Sequence, residues 1–381
     1  VADPAAGTAE RLAQEVAALQ AWLQEAAWPL WLAHGLDRER GGFFEALDLR
    51  AHRCAAPFRR LRVVARQIFV FSNAHRCGVA GAASAVQIGL DFLANHAAQH
   101  DGGYAWRFDL AHRPTDLRRD LYDHAFVLLA LSSATAVVGT DVLRPKALAL
   151  VDWLERDFVH PLGGYVESLP PALPRRQNPH MHLLEALLAA YEAFGDVLFL
   201  DRAAALVSLF AERLFDEASG ALPEFFDEAL APARNAGVFL VEPGHHCEWV
   251  WLLHQARSLG VAHPQLDELM ARLMVFVDRF AIDPVHGGVV DELSSDGALR
   301  SGGARLWPQT ERLRAEFLRA DGTVARRLAA VRGLAAYLRA DGLWHERRLA
   351  DGALSDEAAP ASSLYHLTGA IVAVGKPAVL F

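Results

Sequence analysis

The chain has 381 residues, 52% apolar and 22% charged, with 46 acidic against 37 basic side chains and a net charge of −9. This composition excludes a disordered, collagen-like or coiled-coil chain. The acidic balance lacks the positive surface that neutralises phosphates, so no nucleic-acid partner is expected. No apolar run approaches the ~20 residues of a membrane span, and the Ala-rich, acidic start lacks a basic-then-apolar leader, so no membrane association is expected. Cys54, Cys77 and Cys247 are isolated. They fit a reducing cytoplasm and exclude a disulfide scaffold or a cysteine-based zinc site.

Taken in order, the chain repeats itself. Gly41-Gly42-Phe43-Phe44-Glu45 is echoed by Gly102-Gly103-Tyr104 and by Gly163-Gly164-Tyr165-Val166-Glu167. Looser copies begin at Gly220, Gly287 and Gly342. The second position of each copy falls at 42, 103, 164, 221, 288 and 343, at spacings of 61, 61, 57, 67 and 55 residues. Five copies carry an acid three residues later (Glu45, Glu167, Glu224, Asp291, Glu346), and the second carries Trp106. Each copy reads as a turn entering a short extended piece. Between the turns, apolar residues recur every three or four positions, which predicts helices over 10–30, 83–97, 123–138, 144–158, 180–194, 201–215, 247–259 and 265–280. Asn178-Pro179 reads as a cap followed by a proline in the first turn, and Gly195 as a stop. Two helices per unit and six units make about twelve helices, as in an all-α (α/α)6 barrel with an inner and an outer ring. No linker composition divides residues 1–381, so one domain is expected.

Polar clusters at the starts of the inner helices are the candidates for chemistry. Arg59, Arg62 and Arg66 lie at i, i+3 and i+7, one face of a helix that serves either as a solvated basic stripe or as an anion clamp. Asp120 and Asp123 flank Tyr122 and suit helix capping. His182 and Glu185 are three apart, and His245 and Glu248 repeat that spacing. A carboxylate beside an imidazole orients it and raises its pKa, which prepares a general acid–base. Neither segment has the H-E-x-x-H spacing, so no metal is expected. No G-x-G-x-x-G motif opens a βαβ unit, and Gly369 to Lys376 mimics a P-loop with the wrong spacing and Pro377 in place of Ser or Thr, so no cofactor is expected. Trp307 and Glu311 precede another amphipathic helix, and His366 stands alone near the end.

These segments together resemble the N-acylglucosamine 2-epimerase family of sugar epimerases and aldose–ketose isomerases. The resemblance runs from about 28 to 368. It rests on Ala65-Arg66-Gln67, Tyr122-Asp123-His124-Ala125-Phe126, Asn178-Pro179-His180-Met181-His182, Pro243-Gly244-His245-His246-Cys247-Glu248-Trp249, Trp307-Pro308-Gln309-Thr310-Glu311 and Tyr365-His366. It implies an (α/α)6 barrel and two acid–base histidines, falling on His245 and His366, with Glu248 and Glu311 as their carboxylate supports. Substrate-binding positions fall on Arg66, Tyr122, Asn178, His182 and Trp307, with Arg234 the candidate for a further arginine. The stretches 176–182 and 307–311 are most similar to the mannose isomerases of the family. They imply a free monosaccharide substrate, D-mannose to D-fructose interconversion with D-lyxose accepted, and a monomer or homodimer. The alternative within the family is sugar 2-epimerisation. A sulfonated hexose held by Arg59 or Arg62 is a variant of the same chemistry. Outside it stand an inverting glycosidase using Glu224 and Glu311, and a non-catalytic binding module.

Overall fold

The computed structural model describes residues 4–375, so Lys376 and Pro377 of the P-loop mimic and the first three residues of the acidic start lie outside the described residues. Six helices are buried along most of their length: Leu61–Arg76, Leu121–Ser133, Gln177–Phe194, Pro243–Ser258, Leu306–Leu318 and Ala361–Gly375. Each packs against the next, and Ala361–Gly375 packs back against Leu61–Arg76, so the six form a cycle. Outside them lie Pro4–Ala21, Ala82–Phe92, Thr140–Asp157, Val197–Leu209, Leu266–Phe276 and Val324–Ala335. These carry one apolar stripe only. Thr140–Asp157 buries Leu143, Ala147, Leu150, Val151 and Leu154 and leaves its other face to solvent.

Three outer helices end in a π-helical turn shortly before a repeat turn (Leu93–Ala97, Phe210–Leu214, Val277–Ala281), and a fourth π-helical turn, Trp22–Ala27, runs on into the helix Trp28–His34. The expected helix over 123–138 ends instead at Ser133, with a separate turn at Thr135–Val138. The Ser132 and Ser133 hydroxyls donate back to the Leu128 and Leu129 carbonyls at 2.8 Å, a local competition that ends the ladder. The stretch Leu121–Val138 is long and apolar enough to cross a membrane, contrary to the sequence expectation, but 72% of it is buried inside the structure.

The Gly-Gly turns build the other half of the ring. The first glycine of all six copies has φ between 68° and 98°, a region closed to most L-residues, whereas Ala221 and Leu343 take the second position in two copies. After each turn a short strand pairs antiparallel with the strand that precedes an inner helix: Phe58–Arg60 with Arg107–Asp109, and so on round to Ala359–Pro360 with Ala46–Leu47. The first turn of the chain thereby closes on the last helix.

The fourth residue of four inner helices locks a turn in place. His124, His180 and His246 accept, through Nε2, the backbone N–H of Tyr104, Tyr165 and Leu222 at 2.9, 3.0 and 3.2 Å. His124 and His180 donate from Nδ1 to the carbonyls of Asp120 and Arg176. Gln309 makes the same two bonds with its amide, accepting from Val289 N–H and donating to the Arg305 carbonyl. Burial pushes the three imidazoles down to about 4, 4 and 3, so they are neutral struts. The approach is close: a Cβ on Gly164 would stand 2.7 Å from His180 Nε2.

Candidate active site

At the N-terminal ends of the six inner helices lies a cavity of about 270 Å3. Every inner helix contributes to its wall: Arg66, Tyr122, Asn178 with His182, His245 with Glu248, Trp307, and His366 with Ser362 and Ser363. Glu242, Arg305 and Glu346 complete it from the adjoining loops. Helix N-termini carry partial positive charge, which favours a site that develops negative charge on a substrate.

His245 stands in the first turn of Pro243–Ser258, where Pro243 pre-sets the backbone. Its Nδ1 faces both carboxylate oxygens of Glu224 at 2.9 Å, and its Nε2 meets Asn178 Nδ2 at 2.9 Å. Burial alone would lower the His245 pKa, but the Glu224 carboxylate reverses this and holds it above the usual value. The partner is therefore Glu224, not the Glu248 expected from the i, i+3 spacing. Glu248 lies on the same helix but its Oε1 stands 3.8 Å from His182 Nε2 on the preceding inner helix. Asn178 does not cap its helix, which starts at Gln177 after Arg176. Its Oδ1 is buried without a partner, and turning the amide over offers that oxygen to a protonated Nε2.

His366 stands against Glu311. Its Nδ1 lies 2.8 Å from Glu311 Oε1, which also accepts from Thr310, while Trp251 Nε1 donates to Oε2 at 2.7 Å. Burial would raise the Glu311 carboxyl. The hydrogen bond from His366, with the Arg314 charge and the Trp251 N–H, brings it down to about 2 instead. Burial lowers the His366 pKa and Glu311 offsets only part of that. The result is a neutral imidazole that donates from Nδ1 to an ionised carboxylate and keeps Nε2 free to accept. The Trp307 ring neighbours both histidines, with centroid separations of 4.8 Å to His245 and 5.8 Å to His366.

Between them lies a buried acidic knot. His182 Nδ1 bonds Glu185 Oε2 at 3.0 Å, and the Tyr365 hydroxyl donates to the same oxygen. His182 Nε2 is 3.8 Å from Glu248 Oε1, an oxygen with no hydrogen-bond partner. Burial, then the Glu311 and Glu185 carboxylates, pushes the Glu248 pKa well up, and burial brings His182 down to about 4. Two triads, His182–Glu185–Glu248 and Glu248–Glu311–His366, bring ligand-type atoms within 4.8 Å of one another. Such clusters were invisible in sequence because each draws on different helices.

Arg66 reaches into this site from a cage of rings. Its guanidinium carbon lies 4.1 Å from the Phe126 centroid and 4.8 Å from that of Tyr365, and Nη2 donates to the Tyr122 hydroxyl at 2.6 Å. Among the described residues no carboxylate lies within ion-pair distance of it.

Several sequence expectations fall elsewhere. Arg59 belongs to the strand Phe58–Arg60, not to the helical face of Arg62 and Arg66; it is buried against Asp37 and the Phe43 carbonyl. Arg62 is tied to Asp123 through its backbone N–H and its guanidinium, so neither arginine is available to a C6 anion. Asp120 caps its helix by accepting from the Tyr122 and Asp123 N–H groups. Arg234 lies in an exposed loop, paired with Asp216 at 2.8 Å and bonded to the Gly237 carbonyl, away from the cavity wall. Arg305, with Arg66, lines the cavity instead. Glu224 and Glu311 each stand behind an imidazole and do not line the cavity, which removes the glycosidase pairing. Sequence reasoning missed Glu224 as the support of His245, and missed Arg305, Glu242, Glu346 and Ser363 altogether. The signal for two of them was the repeat itself, because Glu224 and Glu346 occupy its acid position.

The pattern of the N-acylglucosamine 2-epimerase (GlcNAc 2-epimerase) family matches residues 42–370. A mannose-6-phosphate isomerase of Rhizobium meliloti (strain 1021) is 37% identical over 370 residues, covering 93% of this chain and 95% of the relative. A D-mannose isomerase of Thermobifida fusca is 33% identical over 214 residues, half of each chain (50% and 51%). The crystal structure of a D-mannose isomerase superposes with a TM-score of 0.85 at 24% identity, covering 94% of this chain and 97% of the other, a likeness of fold. With the family pattern spanning most of the chain, the protein is an enzyme of the N-acylglucosamine 2-epimerase family.

Proposed function

We propose that the chain is an aldose–ketose isomerase that interconverts unphosphorylated D-mannose and D-fructose, accepts D-lyxose, and works as a single (α/α)6-barrel domain. The observation that carries this reading is a pair of buried histidines on one small cavity that are biased oppositely, His245 toward the imidazolium by Glu224 and His366 toward the neutral base by burial that Glu311 only partly offsets. Once the sugar ring has opened, His366 Nε2 takes the acidic C2 proton of the aldose. The electrons move into a cis-enediolate, and Arg66 carries the oxyanion charge. His245 gives its proton to O1 and takes up the O2 hydroxyl proton, and return of the C2 proton from His366 to C1 gives the ketose.

The reaction needs neither a metal nor a redox cofactor in this scheme. Glu311 is already engaged by His366, Thr310 and Trp251, and Glu185 by His182 and Tyr365, so an ion in either triad would have to displace those bonds. A free sugar also suits the charge of the wall. Arg305 is held by Glu242 at 2.8 Å and Asp291 at 3.1 Å, so its charge is already matched by two carboxylates rather than left for a phosphate dianion. The name of the Rhizobium relative makes mannose 6-phosphate the competing substrate. Comparing kcat/KM for mannose and mannose 6-phosphate, with fructose and fructose 6-phosphate as products, tests the reading; a preference for the phosphate overturns it.

A second reading is 2-epimerisation, favoured by one observation: His245, whose pKa is raised, stands beside the same Trp307 ring as His366 and offers a second proton donor to the cavity. Glucose as the first product from mannose, or N-acylmannosamine as the better substrate, selects it.

A further inference from the structure

Four of the repeat acids have the same task. Glu45, Glu167, Glu224 and Asp291 each accept the backbone N–H that leads into an inner helix, from Arg60, Arg176, Glu242 and Arg305 at 2.6, 2.9, 3.2 and 2.7 Å. Each also faces a cationic or ring nitrogen: Arg60, Arg175, His245 and Arg305.

Glu346 departs on both counts. Its Oε1 accepts from the Ser363 hydroxyl at 2.9 Å and its Oε2 from Trp344 Nε1 at 3.1 Å, both neutral donors. Among the described residues no Lys, Arg or His nitrogen lies within ion-pair distance of it. Its backbone still does the repeat's work, accepting the Leu306 N–H at 2.9 Å, so the carboxyl is held firmly while its side chain is released from the ion pair. Both Glu346 and Ser363 line the cavity. A carboxyl facing a substrate cavity with no cation to neutralise it is suited to carry a proton. Burial lifts its pKa to about 7, so the acid and its conjugate base are both present at neutral pH.

The proposed isomerase needs such a group, because the C2 proton is acidic only after the pyranose has opened. We infer that Glu346, acting with Ser363, opens the sugar ring, an inference that rests on the proposed cyclic aldose substrate. The Glu346 carboxyl gives its proton to the ring oxygen as the C1–O5 bond breaks. The anomeric hydroxyl passes its proton to Ser363 Oγ, and Ser363 passes its own to Glu346 Oε1. The O1–C1 electrons form the carbonyl. One proton enters the sugar and one leaves it, and Glu346 ends as the acid it began as. His245 and His366 are thereby left for the proton transfers of the isomerisation.

The test separates ring opening from carbon chemistry. Exchange between the α and β anomers of D-mannose is followed by NMR magnetisation transfer, alongside turnover to fructose. A third measurement uses an aldose lacking the C4 and C5 hydroxyls, which cannot close a five- or six-membered ring. The wild type accelerates anomer exchange. Glu346→Gln loses at least about 10-fold of that acceleration and of mannose turnover, and its loss on the ring-less aldose is smaller by a similar factor. Ser363→Ala, which keeps the acid and removes the relay, shows the same split and stands in if the glutamine variant fails to fold. Anomer exchange at the wild-type rate in both variants overturns the inference, as does an equal loss on both sugars. A wild type that exchanges anomers but makes no ketose sinks the isomerase reading and leaves ring opening by Glu346 standing.

Discussion

Glu224 grips His245 Nδ1 with both carboxylate oxygens at 2.9 Å, across 21 residues of sequence, while Glu248, three residues from that histidine, does not touch it. The consequence is a pH profile. In the proposed isomerisation His245 acts as an acid, so activity falls as pH rises through its raised pKa; His366 acts as a base, so activity rises with pH through its lowered one. Glu224→Gln withdraws the charge that holds the His245 proton. The alkaline limb of kcat/KM then moves to lower pH, and turnover falls by about 10–100-fold. A limb that stays in place shows that Glu224 is a purely structural cap.

His245→Asn and His366→Asn each keep the fold and cut turnover by about 10²–10⁴-fold, the usual range for a lost acid–base group. Fructose converted in D2O takes up deuterium at C2 of mannose, less than fully where one imidazole shuttles its own proton. Near-normal rates in either variant return that histidine to a packing role.

The neutral struts set the acid limit of the fold. The folded pKa values of His124, His180 and His246, about 4, 4 and 3, lie below the ordinary 6.5. Between those limits the unfolded chain binds more protons, so stability is full above pH 6.5 and is lost as pH falls through the folded values. Gln309 shows that an amide makes the same bonds without titrating. His180→Gln therefore flattens the pH dependence of the urea midpoint, while His180→Leu leaves the Tyr165 N–H unpaired at a cost of about 1–3 kcal/mol. Equal acid sensitivity in His180→Gln and the parent would contradict the strut assignment.

Gly244 lies under Trp307. A Cβ there would meet the indole at 2.5 and 2.6 Å, so Gly244→Ala pushes the ring from its place beside the two imidazoles. Turnover drops by about 10–100-fold through misplacement of the substrate. Melting and steady-state kinetics on the same sample distinguish this from a general loss of fold.

Dialysis against a chelator leaves turnover unchanged. Loss of activity restored by one divalent ion would assign the Glu248–Glu311–His366 triad to a metal and replace the arginine-stabilised scheme.

The ring of helices was legible in the sequence because its signals are local. A turn that needs positive φ keeps its first glycine in all six copies, and a wall helix such as Leu121–Ser133 must be apolar on every side. The His182–Glu185 pair was legible for the same reason, since one turn of helix brings its members together. That rule misassigned Glu248, because a shared face does not say which neighbour a side chain meets when the helix is buried all round. Only the closing of the helix ring pairs His245 with Glu224, His366 with Glu311 across 55 residues, and Arg66 with Tyr122 across 56. Burial on that closure sets the protonation of each group, because a charge removed from water depends on whichever partner the fold places beside it.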